Sequence, residues 1–194
     1  PEGNMISAAE HTIAMMMAMS RNIPQANASL KGKEWKRSKF TGVEVKGKTL
    51  GIIGLGRIGS EVAKRASGLE MNLMGYDPFV SEKRALELGV KLATVNEIAK
   101  EADYITVHTP LIKETRNILD EEQFALMKPT TRVLNCARGG IINEEALAKA
   151  LESGKIAGAA IDVFVEEPPF DSPLLKFDNV VVTPHLGAST QEAQ

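Results

Sequence analysis

The sequence predicts an α/β fold with a doubly wound, mostly parallel sheet, and three observations lead to that fold class. From Lys48 onward, short apolar runs alternate with amphipathic helical segments. The runs are almost continuously apolar, as expected of strands that helices cover on both faces. A glycine-rich turn joins the first run to the first of these helices. Such alternation over most of the chain is typical of parallel strands joined by helical crossovers.

The predicted elements follow in chain order. The strands lie in the runs TLGIIG, NLMGYD, YITVHT, RVLNCA, IAGAAIDVF and NVVVTP. The helix after the first run carries apolar side chains three and four residues apart, at Ile58, Val62, Ala66 and Leu69. A later helix should begin after Asn143, an N-cap residue followed by acidic residues, and end at Gly154.

The opening segment, SAAEHTIAMMMAMSRNIP, predicts another helix. Ser7 and Glu10 have the spacing of a capping box, and Pro24 should end or kink the helix. Its crowded methionines fit two alternatives, a helix packed on the domain or a helix at a domain or subunit interface. The chain starts with PEGN rather than Met, so we expect a piece of a longer protein, although processing would look the same.

Composition excludes several functional classes. The chain has 194 residues, a formal net charge of −2, 43% hydrophobic residues and only 5% aromatic residues. These values suit a globular domain and give no support to a nucleic-acid surface. The only cysteine, Cys136, excludes an intrachain disulfide and favours a reducing compartment, so a cytoplasmic location is expected. No apolar run is long enough for a membrane span, and no signal peptide is visible.

The turn GLGRIG after the first apolar run predicts a Rossmann-like dinucleotide-binding site. Gly54 should permit the tight turn, Gly56 should leave room for a pyrophosphate, and Gly59 should allow close packing of helix and strand. The helix that follows offers free N–H groups and a partial positive charge to phosphates. The glycine pattern alone is weak evidence, but here a strand precedes it and a helix follows it.

Asp77, at the end of the next predicted strand, indicates which dinucleotide binds. Its carboxylate has the spacing of the residue that accepts hydrogen bonds from the adenosine ribose, and it would repel a 2′-phosphate. NAD is therefore favoured over NADP. The alternative is an aspartate that serves only the turn before Pro78.

Three chemically active side chains follow three predicted strands, where ligands of doubly wound sheets bind. Arg138, with two glycines behind it that should leave space for a ligand, is suited to hold a carboxylate, unless it pairs with the acids of NEEAL. His185 is suited to exchange protons near neutral pH, although a lone histidine at a strand end is usually structural. Glu167 favours the catalytic interpretation, because a neighbouring carboxylate would orient the imidazole and stabilise its charged form.

These three groups fit hydride transfer. A base removes the hydroxyl proton while the cofactor takes hydride from the same carbon, and a cation holds the adjacent carboxylate. We therefore expect Arg138 to anchor the substrate and polarise its carbonyl, His185 to act as acid and base, and Glu167 to support His185. No Cys/His cluster suggests a metal.

Several sequence blocks, in order, resemble the D-2-hydroxyacid dehydrogenase family, most closely the members that act on 3-phosphoglycerate. The blocks include GKTLGIIGLGRIG, VHTPL, LNCARGGIINEEAL, AAIDVFVEEPP and NVVVTPHLGASTQEAQ. The resemblance implies NAD-dependent oxidation of 3-phosphoglycerate to 3-phosphohydroxypyruvate, the first step toward serine. One alternative is another 2-hydroxyacid dehydrogenase, such as a glyoxylate/hydroxypyruvate reductase. Another, from a different class, is a non-enzymatic NAD-binding corepressor.

The resemblance also implies functional residues. Arg138, Glu167 and His185 would be the catalytic set. Besides the three glycines and Asp77, the cofactor cleft would include Arg57, Ile58, Thr109, Cys136, Ala137, Arg138, Asp162, His185, Gly187 and Ala188. We expect Cys136 to be a small packing residue rather than a reactive thiol, His108 to be a structural residue at a strand end, and His11 to serve packing.

The resemblance finally implies a domain organisation. Residues 1–194 would form the dinucleotide-binding domain, with residues 1–30 as an interdomain and dimerisation helix segment. The substrate domain and any regulatory domain of the parent protein would lie outside this chain, and the parent would be a homo-oligomer, dimer or tetramer. Because half of the cleft would be missing, we expect the isolated chain to bind NAD with little or no turnover.

Overall fold

One parallel sheet organises the chain. The computed structural model describes residues 2–194, and within them seven strands are found: β1 (Thr49–Ile53), β2 (Asn72–Tyr76), β3 (Val90–Leu92), β4 (Tyr104–Val107), β5 (Arg132–Asn135), β6 (Gly158–Ile161) and β7 (Val180–Val182). Their order is β3-β2-β1-β4-β5-β6-β7, and every neighbouring pair is parallel. The direction of winding reverses between β1 and β4, so the predicted doubly wound α/β fold is confirmed.

The helices cover both faces of this sheet. They are α1 (Glu2–Arg21), α2 (Ile23–Lys31), α3 (Arg57–Gly68), α4 (Glu82–Glu87), α5 (Val95–Glu101), α6 (Glu121–Leu126) and α7 (Glu144–Glu152), with short 3₁₀ helices at Arg37–Phe40 and Pro173–Lys176. The predicted limits of α7 are confirmed. The Asn143 side chain accepts the backbone N–H groups of Glu145 and Ala146, and Gly154 follows the helix with a φ of 73°.

The sequence pattern did not predict β3 or the short helices α4, α5 and α6. β3 has only three residues, too few to show a periodicity. Two of the helices carry capping boxes that were available as signals. Thr94 and Glu97 cap α5 reciprocally, and Asp120 and Gln123 do the same for α6.

The predicted start of α1 was wrong. The helix begins at Glu2, so Ser7 lies inside it and caps nothing. Its hydroxyl instead hydrogen-bonds the Thr190 hydroxyl at 2.7 Å, a partner 183 residues away that local pattern cannot reveal. The predicted break near Pro24 is confirmed, because Asn22 has a φ of 57° and Pro24 lies in the first turn of α2. Residues 2–30 therefore form two helices rather than one.

Two apolar layers lie on opposite faces of the sheet. Helices α1 and α3 cover one layer and α5, α6 and α7 cover the other. Met15, Met16 and Met19 are buried in the first layer, where α1 contacts β5, β6 and β7. These three methionines therefore pack against the sheet within the chain. Within residues 2–194, no helix has both the length and the apolarity needed to cross a membrane.

The glycine turn between β1 and α3 has the geometry expected for Gly54 and Gly59. Gly54 has a φ of 99°, and its N–H donates to the Tyr76 carbonyl at 2.8 Å. A Cβ on Gly59 would overlap the Gly54 carbonyl oxygen, so only glycine allows the first turn of α3 to lie this close to the strand end. On Gly56, in contrast, a Cβ would meet no atom of residues 2–194 within 4 Å.

Replacing Gly59 with alanine should therefore destabilise the domain, by about 1–3 kcal/mol, because the new methyl group overlaps backbone that has no room to move. Gly68→Ala is the matched control. Gly68 also lies in α3, but a Cβ there meets nothing within 4 Å among the described residues. The control should be neutral or stabilising by up to about 1 kcal/mol. Urea unfolding of the two variants measures both values, and equal effects would contradict the close-packing role of Gly59.

Candidate active site

The three predicted catalytic residues lie at one edge of the sheet. Arg138 follows β5, Glu167 lies in the loop after β6, and His185 follows β7. These strands are adjacent and parallel, so their carboxyl ends meet at the same edge. The sheet topology thus brings the three residues to one edge although they lie far apart in the sequence.

His185 and Glu167 form a direct pair. The His185 Nδ1 and Glu167 Oε1 atoms are 2.8 Å apart, which confirms that the two residues are neighbours. The other carboxylate oxygen of Glu167 accepts the Phe164 N–H at 3.0 Å. Burial acts to raise the pKa of Glu167, but these hydrogen bonds outweigh it and hold the pKa below its usual range. Because an ionised carboxylate only accepts, Nδ1 carries the proton in the neutral imidazole and Nε2 is left as a base.

Arg138 presents an available guanidinium to the same edge. Its side chain is exposed and, among the described residues, donates only to its neighbour's carbonyl, Ala137 O, at 2.8 Å. It forms no ion pair with any residue that the structure describes, so the alternative of pairing with the acids of NEEAL is wrong. One of those acids, Glu144, instead accepts the Val165 N–H at 2.6 Å.

The first glycine after Arg138 has a different role from the one expected. A Cβ on Gly139 would overlap the backbone of Phe164, so protein rather than a ligand fills the space that this glycine leaves. The expectation that it makes room for a ligand was wrong. Gly139 instead lets the loop that carries Glu167 pack directly against the turn that carries Arg138.

Asp162 holds the loop that carries His185. This fully buried carboxylate accepts the Leu186 N–H at 2.7 Å, the Gly187 N–H at 2.9 Å and the Thr183 hydroxyl at 2.6 Å. Its backbone carbonyl accepts the His185 N–H at 2.9 Å. His185 has a φ of 56°, a left-handed conformation that costs free energy in a non-glycine residue. The contacts with Asp162 sustain that conformation.

The pKa of Asp162 reflects this arrangement. Burial alone would raise the pKa, but hydrogen bonds from His11, Thr183 and the Leu186 N–H hold it below its usual range. The carboxylate is therefore ionised at neutral pH. The sequence indicated Asp162 only as a residue lining the cofactor cleft, and nothing local revealed that it organises the loop.

A cavity of about 610 Å³ lies beside these groups. Nine of the predicted cofactor or catalytic residues line it: Ile58, Thr109, Cys136, Ala137, Arg138, Asp162, His185, Gly187 and Ala188. Glu167 is not among the lining residues and reaches the site through its contact with His185. The remaining lining residues, Asn4, Ala8, His108, Pro110 and Leu111, were not predicted as ligand contacts. Asn4 and Ala8 belong to α1, whose contribution to the site depends on tertiary packing.

Two lining residues have the inert character expected of them. Burial, aided by the charge of Asp162, raises the pKa of the Cys136 thiol to about 12, so no thiolate forms near neutral pH. Burial lowers the pKa of the His108 imidazole to about 4, and its Nε2 lies 2.8 Å from the Thr106 hydroxyl. His108 is therefore a neutral residue at a strand end, as predicted.

A second cavity, of about 580 Å³, lies on the other side of the first turn of α3. Gly56 and Arg57 line it together with Leu55, whereas Ile58 faces the first cavity. Asp77 supports this turn, because one carboxylate oxygen accepts the Leu55 N–H at 2.8 Å and the other accepts the Phe79 N–H at 2.9 Å. The carboxylate thus has the turn role considered as an alternative, and it also binds the glycine loop.

The residues around the two cavities fit a dinucleotide. The open side of Gly56 and the N-terminus of α3 have the shape and the free N–H groups that a phosphate group would need. The Thr109 hydroxyl oxygen, beside the first cavity, is buried and has no hydrogen-bond partner among the described residues. Such a group is satisfied when a polar ligand binds against it. Among residues 2–194 no group of three or more His, Cys, Asp or Glu side chains could hold a metal ion.

Asn135 is a residue of this site that the sequence analysis missed. Its side chain accepts the Ala137 N–H at 3.0 Å and donates to the Arg138 carbonyl at 2.9 Å. It thereby shapes the turn that presents the guanidinium. An asparagine between a buried strand and a glycine-rich turn is a known turn signal, so this role was available from the sequence.

Comparison with known proteins gives consistent matches over the chain. The family model for the D-isomer specific 2-hydroxyacid dehydrogenase, NAD binding domain, matches residues 13–187. A D-3-phosphoglycerate dehydrogenase from Methanocaldococcus jannaschii is 56% identical over 195 residues, covering 100% of this chain and 37% of the relative. A D-3-phosphoglycerate dehydrogenase from Bacillus subtilis is 56% identical over 194 residues, with the same coverage. The chain therefore spans little more than a third of the length of these relatives.

A solved structure supports the same fold. The D-lactate dehydrogenase from Aquifex aeolicus, complexed with NAD and lactic acid, superposes with a TM-score of 0.88 and 32% sequence identity. The match covers 96% of this chain and 61% of that structure.

Replacing Asp162 with asparagine should destabilise the domain by about 2–3 kcal/mol, because an amide nitrogen cannot accept the N–H groups that the lost oxygen accepted. Its lowered pKa also gives a pH dependence. A depressed carboxylate pKa contributes stability above the unfolded-state value and loses that contribution as the pH falls through the folded-state value.

Unfolding free energies of the two proteins between pH 3 and 7 test this expectation. The stability difference between wild type and Asp162→Asn should shrink below about pH 4, where protonation removes the wild-type advantage. Asp171→Asn, an exposed aspartate in the loop after β6, is the control and should change stability by less than about 0.5 kcal/mol. A constant difference across the pH range would contradict the ionised role of Asp162.

Proposed function

Because this chain belongs to the NAD-binding domain family of the D-isomer specific 2-hydroxyacid dehydrogenases, we propose that it supplies the cofactor site and catalytic side chains of an enzyme that oxidises 3-phosphoglycerate to 3-phosphohydroxypyruvate. The predicted family and NAD as its cofactor are thereby confirmed. One observation carries the proposed chemistry. An imidazole paired with a carboxylate at 2.8 Å lines the same cavity as a guanidinium with no ion-pair partner in the described chain.

NAD would lie across both cavities. The glycine turn and the N-terminus of α3 would hold the pyrophosphate, with Gly54 and Gly59 shaping the turn, Gly56 against the phosphates and Arg57 beside them. Asp77 would accept hydrogen bonds from the ribose hydroxyls. The nicotinamide would lie in the first cavity, lined by Ile58, Thr109, Cys136, Ala137, Asp162, Gly187 and Ala188. When bound, NAD accepts a hydride from the substrate carbon.

His185 would move the proton. Its Nε2 takes the hydroxyl proton as the hydride departs, and the Glu167 carboxylate stabilises the imidazolium that forms. Arg138 would hold the substrate carboxylate through paired N–H donors and place the carbon in front of the cofactor. In the reverse reaction the same imidazole returns the proton to the carbonyl oxygen.

Sequence identity favours 3-phosphoglycerate within the family. The relatives named D-3-phosphoglycerate dehydrogenase are 56% identical over the full length of this chain. The relatives are also much longer, so a substrate domain outside these 194 residues would supply the opposite wall of the cleft and the phosphate contacts. The parent would be a cytoplasmic homo-oligomer, a dimer or tetramer, with residues 1–30 between domains or subunits.

Replacing His185 with asparagine in the full-length protein should lower kcat for 3-phosphoglycerate by about 10²- to 10⁴-fold, because no group then accepts the proton. The Kd for NAD should change by less than about twofold. Steady-state kinetics and calorimetric titration measure the two quantities. Equal losses of turnover and affinity would show that His185 is only structural.

Glu167→Gln and Glu166→Gln form a matched pair for the same assay. Glu167→Gln should lower kcat by about 10-fold or more, since the imidazolium loses its charged partner. Glu166 is exposed and has no hydrogen-bond partner among the described residues, so its substitution should leave kcat unchanged. Absence of any hydroxyacid-dependent NAD reduction by the wild type would instead favour a non-enzymatic NAD-binding protein.

Replacing Asp77 with alanine should weaken NAD binding by about 10-fold and relax the discrimination against NADP, because the carboxylate no longer repels the 2′-phosphate. Calorimetric Kd values for both dinucleotides measure the ratio. Asp77 also accepts the Leu55 N–H, so a purely structural effect would raise the Kd values for both dinucleotides equally. An unchanged ratio would remove Asp77 from the ribose contact.

A further inference from the structure

One face of α1 makes polar contacts on both sides of His185. Ser7 and His11 are four residues apart and so project from the same side of the helix. The Ser7 hydroxyl lies 2.7 Å from the Thr190 hydroxyl, and His11 Nε2 lies 3.1 Å from the Thr183 hydroxyl. Thr183 and Thr190 flank the segment that carries His185. The helix therefore holds this segment before and after the imidazole.

The direction of the hydrogen bonds at His11 follows from the acceptors. Thr183 donates its hydroxyl proton to Asp162 Oδ1 at 2.6 Å, because an ionised carboxylate only accepts. The Thr183 oxygen therefore accepts from His11, and His11 Nε2 must carry a proton. The same nitrogen lies 3.4 Å from Asp162 Oδ1. The result is an ordered chain of donors that runs from α1 to the buried carboxylate.

Asp162 connects this chain of hydrogen bonds to His185. Its carboxylate accepts the N–H groups of Leu186 and Gly187, the two residues that follow the imidazole. Its carbonyl accepts the His185 N–H. His185 has a φ of 56°, so its side-chain direction depends on these bonds rather than on a relaxed backbone. A shift of Asp162 or Thr183 would therefore turn the imidazole relative to the cavity.

Packing alone does not account for this face of α1. The side chain of His11 is 19% exposed, and Ser7 is buried with 5% exposure. An apolar side chain would fill either position without leaving an unmatched polar group on the helix. Both side chains instead hydrogen-bond threonines of one short segment. That segment carries His185, the proposed acid/base residue.

We infer that His11 and Ser7 are positioning residues for the proton transfer, and that α1 sets the orientation of the His185 imidazole through Thr183, Asp162 and Thr190. The inference rests on the proposed function, because it assigns a task to the imidazole that the function names. It adds two residues that contact neither the substrate nor the cofactor in that proposal.

A double-mutant cycle in the full-length protein tests the inference. The variants are His11→Leu, His11→Gln, Ser7→Ala, His185→Asn and the His11→Leu/His185→Asn double variant. Glu10→Gln is the control, since Glu10 is exposed on α1 and has no hydrogen-bond partner among the described residues. The readouts are kcat and KM for 3-phosphoglycerate and the calorimetric Kd for NAD.

The expected result is a decrease in kcat that depends on the presence of His185. His11→Leu should lower kcat by about 10-fold in the wild-type background, because a misplaced base transfers the proton less well. In the His185→Asn background, the same substitution should change the residual kcat by less than about twofold. The Kd for NAD should stay within about twofold. His11→Gln should recover most of the lost kcat, because its amide still donates to Thr183.

Other outcomes separate the inference from the proposed function. If His185→Asn lowers kcat as expected but His11→Leu behaves like Glu10→Gln, the inference fails and the function stands. Equal losses from His11→Leu in both backgrounds, or a matching rise in the Kd for NAD, also overturn it. A wild type without hydroxyacid-dependent turnover overturns the function itself. If His11→Leu does not fold, the cycle is run with Ser7→Ala, which removes a single hydroxyl and should lower kcat about threefold.

Discussion

The hydrogen bonds that the Asp162 carboxylate accepts are the constraint on which the rest of the site depends. A fully buried carboxylate is costly unless hydrogen bonds satisfy it, and here two backbone N–H groups and a threonine hydroxyl do so. The same bonds hold the chain after β7 in a turn with His185 at a positive φ. The same set of hydrogen bonds thus offsets the free-energy cost of burying the Asp162 carboxylate and directs the His185 imidazole toward the cavity.

Backbone contacts also shape the part of the site around Arg138. Gly139 has no side chain, so the loop after β6 approaches the turn after β5 closely enough to bring Glu167 to His185. Asn135 fixes the turn by bonding on both sides of it. The guanidinium is left exposed and without an ion pair in the described chain, as the proposed contact with a substrate carboxylate requires.

The helix α1 links these features to the rest of the molecule. Met15, Met16 and Met19 belong to one apolar layer of the sheet, while the polar residues Ser7 and His11 reach the segment around His185. A helix that the sequence suggests is only a packing or interface element thereby contributes to the site. Its N-terminal end also lines both cavities, through Met5 and Ile6 on one side and Asn4 and Ala8 on the other.

The sequence by itself determined the fold class, the glycine turn and the residues at the strand ends, because each leaves a local pattern of apolar runs, fixed glycine spacing or capping groups. It also named His185, Glu167 and Arg138 as candidates. Only the tertiary structure decided that His185 and Glu167 touch, that Gly139 serves packing and that Ser7 caps nothing. Those facts depend on contacts between residues far apart in the chain. Strand order brings such residues together, and no local pattern records it.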